Sequence, residues 1–320
     1  MSATSTPVIA FVVPCFNEEA AIPQTARELL DRQGALSANG VISPQSYILF
    51  VDDGSADRTW ALIEEACAAH PGRIRGLKLA HNVGHQNALL AGLLTQIGKA
   101  DATISLDADL QDDVAAVGAM VEEFGERNVD IVFGVRENRT SDSGFKRGTA
   151  DLYYRLADWL GARVIPHHAD FRLMSDRAVR ALSSYGEVNL FLRGLVAQLG
   201  FKTAIVKFDR LPRLHGETKY TLSKMAGLAI DGITSLSIRP IRIVAAFGIL
   251  LFVAFIGMAA WVLGTWLAGD TVQGWTSVMM LFLMISSFQT FAIAVIGEYV
   301  GKTYFEAKAR PRYTVEKEIN

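Results

Sequence analysis

Apolar residues change their spacing several times along this chain, and each change predicts an element. Residues 8–13 form a short β-branched run closed by Pro14, the pattern of a buried parallel strand opening into a loop. Helical periodicity begins near Glu18 and fades by Gly34. A second strand over 47–51 ends in Asp52-Asp53-Gly54-Ser55 and precedes a helix over 59–69, while strands over 77–80 and 102–106 flank a helix over 86–96. Strand and helix alternate. That predicts a Rossmann-like α/β domain, a mostly parallel sheet with helices on both faces, holding ligands at the carboxyl ends of its strands. The polar stretch 35–46, with Gly40 and Pro44, reads as a surface insertion.

Two later stretches, 243–267 and 271–297, carry no charge. Each exceeds the roughly 20 apolar residues that cross a bilayer core as a helix, so the pair predicts two transmembrane helices joined as a hairpin around Asp270. Before the first span, Leu222, Met225, Ala226, Ala229, Ile233 and Leu236 recur at helical spacing with Lys224, Asp231 and Ser235 off the stripe. A core-packing helix and an interfacial helix both fit this pattern, and its place beside a membrane span favours the second. The chain thus divides into a head (1–215), an amphipathic juxtamembrane segment (216–242), the hairpin (243–297) and a tail (298–320).

Charge adds an orientation. Lys224, Arg239 and Arg242 precede the first span and Lys302, Lys308, Arg310 and Arg312 follow the second, which predicts cytoplasmic termini and a cytoplasmic head. Trp266 and Trp275 would mark the far interface, Tyr299 and Tyr304 the near one. The net charge of -2 over 320 residues gives no pull toward nucleic acid. Cys15 and Cys67, the two cysteines, make no metal spacing and fit a reduced compartment. The first residues lack a charged segment and a long apolar run, so no cleavable signal is expected. No phosphate-binding P-loop or dinucleotide glycine motif follows a strand, and His167-His168 would point to opposite faces of a strand rather than to one ion.

The candidate chemistry lies where strands end: Asn17 and Glu18, Asp52 and Asp53, Asp107 and Asp109. In an extended segment Asp107 and Asp109 would share a side, and convergent carboxylates suit Mg²⁺ or Mn²⁺ bridging diphosphate oxygens. A helix cap with solvated acids is the alternative for this Asp-x-Asp, and a plain turn for 52–55.

Pro14-Cys15-Phe16-Asn17-Glu18, Val51-Asp52-Asp53-Gly54-Ser55 with Asp57 and Thr59, Asn82-Val83-Gly84 with Ala88, and Leu106-Asp107-Ala108-Asp109-Leu110-Gln111 occur in that order. The set resembles the signatures of family 2 glycosyltransferases with a GT-A fold. Within that family it is most similar to polyprenyl-phosphate glycosyltransferases of the dolichol-phosphate mannose synthase-like and bactoprenol glucosyltransferase-like kinds. Asp170-Phe171-Arg172-Leu173, Arg213 with Lys219-Tyr220, and the paired spans extend the likeness over nearly the whole chain; Cys15 departs from the usual residue there and reads as packing.

The resemblance implies inverting transfer of one sugar from a nucleotide diphosphate donor, UDP-glucose or UDP-N-acetylglucosamine foremost, to undecaprenyl or a similar polyprenyl phosphate at the bacterial plasma membrane. It places Pro14, Asn17, Glu18, Asp53, Asp107, Gln111 and Arg136 around the donor, with Asp53 near the base or ribose. It places Asp107, Asp109 and Gln111 around Mg²⁺ or Mn²⁺, and Arg147, Arg172, Arg213 and Lys219 around the acceptor phosphate. Asp109, Asp170, Arg213 and Lys219 are its expected catalytic residues, with Asp170 a base or an orienting group. It also implies a homo-oligomer, a tetramer. Transfer of a sugar phosphate, or a silent membrane-anchored scaffold that binds nucleotide sugar, are the rival readings.

Overall fold

The computed structural model describes residues 6–136, 168–188, 190–208, 234, 237–268 and 274–320. Arg147, Arg213, Lys219, Asp270 and most of the juxtamembrane segment lie outside the described residues.

Eight strands form one sheet in the order β7-β5-β6-β4-β1-β2-β3-β8. Its centre is β1 (Ile9–Cys15), β2 (Tyr47–Asp52), β3 (Ile74–Leu79) and β4 (Ala102–Ser105), all mutually parallel. Beyond β4 come β6 (His168–Ser175), antiparallel to both neighbours, then β5 (Ile131–Arg136) and β7 (Thr203–Phe208), which run parallel to each other. The sheet is therefore mostly parallel and mixed on one flank.

Every residue of β1 is buried, as a strand covered on both faces requires. Phe11 and Val13 meet α1 (Ile22–Ala38), α2 (Thr59–Ala69) and α4 (Val117–Glu126) on one face. Val12 meets α3 (His85–Thr95), α5 (Asp176–Ser183) and α6 (Leu192–Gln198) on the other. Helix α1 starts with Pro23 in its first turn, where a missing N–H costs nothing. It runs past Gly34 to Ala38 because Leu36 continues the buried stripe of Ile22, Ala26, Leu29 and Leu30. The expected surface insertion is correspondingly shorter, and Ile42 within it is fully buried.

Helices α7 (Arg239–Leu267) and α8 (Trp275–Lys308) are long and apolar enough to cross a membrane, in windows Arg239–Met258 and Met284–Lys308 that bury nothing within the chain. Phe252, Phe255, Phe282 and Phe291 stand exposed along them. The Phe247 and Phe288 rings meet at 4.7 Å between the helices, and the Tyr299 hydroxyl donates to the Ser237 carbonyl at 2.6 Å.

The tail, 298–320, is structured. Helix α8 carries Glu298, Lys302 and Glu306 before ending at Lys308, and Val315–Ile319 forms β8, antiparallel to β3 at the sheet's edge. Glu306 Oε2 accepts from the Val188 N–H at 2.8 Å, tying the end of α8 to the head. Ion pairs Lys78–Glu316, Lys99–Glu318 and Lys317–Glu64 border β8 at 2.9, 2.8 and 2.6 Å. Exposed pairs contribute at most about 1 kcal/mol each. The strand ladder and the packing of Ile319 against the core contribute the rest.

Candidate active site

Two loops at the carboxyl ends of β1 and β2 are knitted together by side chains. Asn17 adopts a left-handed conformation, φ 52°, and its N–H donates to Ser55 Oγ at 2.9 Å while its Oδ1 accepts from Ala56 N–H at 2.9 Å. The Glu18 N–H donates to Thr59 Oγ1 at 2.8 Å, and Asp57 accepts from the N–H groups of Glu19 and Thr59. Gly54 has φ 66°, and a Cβ there would come within 2.6 Å of the His81 backbone. The turn needs glycine. Pro14 lies within β1, buried and in register with Val51, so it shapes the loop rather than lining a pocket.

Asp53 is 2% exposed, and its two oxygens accept from the Val83 N–H at 2.7 Å and the Gly84 N–H at 3.0 Å. The expected contact with base or ribose does not match this arrangement. The carboxylate is committed to holding the loop before α3.

Asp107 and Asp109 follow β4, whose ladder continues through the Leu106 N–H to the Val12 carbonyl at 3.1 Å. The segment is not extended as expected: it turns, with Leu110 left-handed at φ 47° and its N–H reaching the Asp107 carbonyl at 3.3 Å. Asp109 Oδ1 accepts from the Gln111 N–H at 3.2 Å, and Gln111 itself is buried. Thr25 Oγ1 donates to the Ala108 carbonyl at 2.7 Å, fastening the turn to α1, and Glu18 and Asp109 line one small cavity there.

Pairing of β4 with β6 sets Ser105 against Arg172, and the same register carried two residues on sets Asp107 opposite Asp170. Asp170 is buried and heavily paired. Arg172 Nη2 donates to its Oδ1 at 2.6 Å, and Arg193 grips both oxygens, Nε to Oδ1 at 3.1 Å and Nη2 to Oδ2 at 2.8 Å. His85 Nε2 lies 3.4 Å from Asp170 Oδ2 and 3.7 Å from Asp107 Oδ1.

Electrostatics separate these acids. Burial alone would raise the Asp170 carboxyl, but His85, Arg193 and Arg172 hold it well below the usual carboxylate range. A carboxylate so tightly ion-paired is a poor proton acceptor, which argues against the base role. Burial pushes Asp107 up to about 6, opposed by His85 and reinforced by Asp170, Asp112 and Asp109. Burial lowers His85, and its bond to Asp170 with the charges of Asp107 and Asp170 outweighs that to raise it.

Arg172 has no exposed surface. In this structure it meets the Asp170 carboxylate and has no open surface toward an acceptor phosphate, unlike the expectation. Arg136 ends β5 at the same carboxyl edge, since β5 runs parallel to β4 through their common antiparallel neighbour. His85 and Arg193 were not singled out by the sequence. His85 directly follows Asn82-Val83-Gly84 at a helix start, a legible hint, whereas Arg193 belongs to no motif.

Among the described residues no three His, Cys, Asp or Glu side chains form a ready cage for a metal. A cation shared with a diphosphate takes only one or two carboxylates from the protein. Asp107, a third exposed and crowded by three other acids, fits that demand.

An α/β head that gathers acids at the carboxyl ends of its central strands has the layout of an enzyme that binds its ligand there. The description "Glycosyl transferase family 2" matches residues 10–182. A Bacillus subtilis relative, "Uncharacterized glycosyltransferase YkoT", is 45% identical over 98% of this chain and 93% of its own. The Escherichia coli "Prophage bactoprenol glucosyl transferase homolog" is 36% identical over 97% and 98%. Among solved structures, the mannosyltransferase PcManGT of Pyrobaculum calidifontis, described in complex with GDP-Man and Mn²⁺, is 14% identical with a TM-score of 0.46, covering 93% of this chain and 88% of that one. The chain belongs to glycosyl transferase family 2, and the protein is a glycosyltransferase.

Proposed function

We propose that the protein moves a single sugar from a nucleoside diphosphate donor to a polyprenyl phosphate at the membrane surface, with inversion. The observation that carries this reading is the union of a family 2 head with two apolar helices in one chain. The bactoprenol-named relative aligns over 97% of this chain, more than the head alone. Such a head, held at a bilayer by its own helices, suits a lipid acceptor.

In this reading the acceptor phosphate oxygen attacks the anomeric carbon, and the bond from that carbon to the diphosphate breaks. The phosphate is already ionised near neutral pH, so no base is required, in keeping with the clamped Asp170. Asp107 and Asp109, with Gln111 behind them, would hold Mg²⁺ or Mn²⁺, which supplies charge to offset the leaving diphosphate. Asn17 and Glu18 border the donor side, and Arg136, Arg147, Arg213 and Lys219 supply positive charge toward phosphate groups. Both termini and the head face the cytoplasm, by the basic flanks of the two helices.

The test is a panel of nucleotide sugars, UDP-glucose and UDP-N-acetylglucosamine first, incubated with undecaprenyl phosphate. Mass spectrometry should find a polyprenyl-phosphate monosaccharide, with nucleoside diphosphate released. Release of nucleoside monophosphate would establish sugar-phosphate transfer instead, and no lipid product from any donor would sink the reading.

A further inference from the structure

Arg193 lies on α6, outside every motif, yet it makes the two-pronged contact on Asp170. Arg172 touches the same carboxylate from beneath with no exposed surface, whereas the Arg193 side chain is 46% exposed and reaches it from outside the sheet. The start of α6 is itself fixed: Gln86 Oε1 accepts from the Leu192 N–H at 2.7 Å. Gln86 belongs to the first turn of α3, the turn that carries His85. Asp170 in turn stands 3.4 Å from His85 Nε2, and that nitrogen stands 3.7 Å from Asp107 Oδ1. Three elements, α6, β6 and α3, thus converge on one side of Asp107.

We propose that Arg193 is a positioning residue: it fixes Asp170, and through Asp170 the His85 ring, so that Asp107 is held for a divalent cation bridging the donor diphosphate. This rests on the cation reading of Asp107 given above. The planar guanidinium suits the task because it occupies both carboxylate oxygens and stops the group rotating. An ammonium would give charge without that restraint.

The experiment uses the full chain in detergent and reads Mn²⁺ binding from the loss of its free paramagnetic resonance signal, with UDP or GDP present and no lipid. Arg193→Gln should weaken Mn²⁺ binding roughly tenfold, the loss typical when the support of a metal ligand is removed, and Arg193→Lys should fall between. His85→Asn should weaken it similarly, and the Arg193→Gln/His85→Asn pair should lose no more than one change alone, because both lie on one path. Should Arg193→Gln fail to fold, Gln86→Ala, which frees the start of α6, carries the same expectation to a smaller degree. Wild-type Mn²⁺ affinity in the Arg193 variants, fully additive losses in the pair, or a defect confined to lipid-acceptor use would each overturn the proposal. Absence of Mn²⁺ binding in the wild type would instead remove the cation reading itself, so the two failures are distinguishable.

Discussion

Asp107, just past β4, and Asp170, on β6, stand in opposite electrostatic states, one pushed up by burial and crowding, the other held down by His85 and two arginines. Their substitutions should therefore fail differently from each other and from Asp109. Asp170→Asn leaves the fully buried Arg172 without its counter-charge, and breaking such a pair costs about 3 to 5 kcal/mol. Thermal melts should show that loss, and adding Arg172→Met should recover part of it. The native pKa of Asp170 is depressed, so its stabilising contribution is present above the unfolded value near 4 and is lost as pH falls through the lower native value. A wild-type melting curve against pH should therefore fall on the acid side, and the Asp170→Asn curve should fall less. Asp109 is partly exposed on a turn, so Asp109→Asn should fold normally. It should lose turnover by several powers of ten if the cation supplies several kcal/mol to the leaving group, and chelation of the wild type should match it. A near-normal rate for Asp109→Asn would exclude the metal mechanism.

At the scale of elements, α3 shows how closely helix and sheet meet. A Cβ on Gly92 would lie 2.5 Å from Val12 Cγ1 and 2.7 Å from Val51 Cγ2, and valine side chains are stiff about their first torsion. Gly92→Ala gains roughly 1 kcal/mol of helix propensity and loses about 1 to 3 kcal/mol to overpacking. A net fall in melting temperature is expected, and a rise would mean that α3 can lift from β1 and β2 freely. The periodicity that reveals helices placed α2 at 59–69, the range observed, because its buried residues Thr59, Ile63 and Cys67 recur at helical spacing. It extended less well to what long-range pairing decides. The turn at Ala108 and Asp109 depends on Leu110 adopting positive φ and on Thr25 reaching across from α1, neither of which leaves a mark on residues 107–109 themselves. The donor side likewise looked like a row of ligands, yet Asp53 and Pro14 turn out to shape loops. Arg193 was invisible because its meaning depends on Asp170, which is remote in sequence and near only in the fold.

In the whole molecule, the apolar hairpin is bracketed by parts of the same head, since α7 and α8 lie between β7 and β8 in the chain and both strands belong to one sheet. If α7 and α8 cross a membrane as proposed, the pairing of β8 with β3 would put the head and the segment after α8 on one side of it, whichever side that is. A reporter fused after Asn320 and one inserted at Asp270 should therefore read opposite compartments, the first cytoplasmic. Matching signals from the two would break the hairpin. Strand β8 reads as a polar tail in the sequence, Val-Glu-Lys-Glu-Ile, because an edge strand can carry charge on its open side. Its order in the chain also bears on biogenesis. The ribosome delivers both lipid-seeking helices before it delivers the strand that closes the edge beside β3. In the proposed topology, a molecule whose helices missed the bilayer before β8 paired would present an open sheet edge, a ready template for aggregation or proteolysis, and membrane insertion would act as a checkpoint for completing the head.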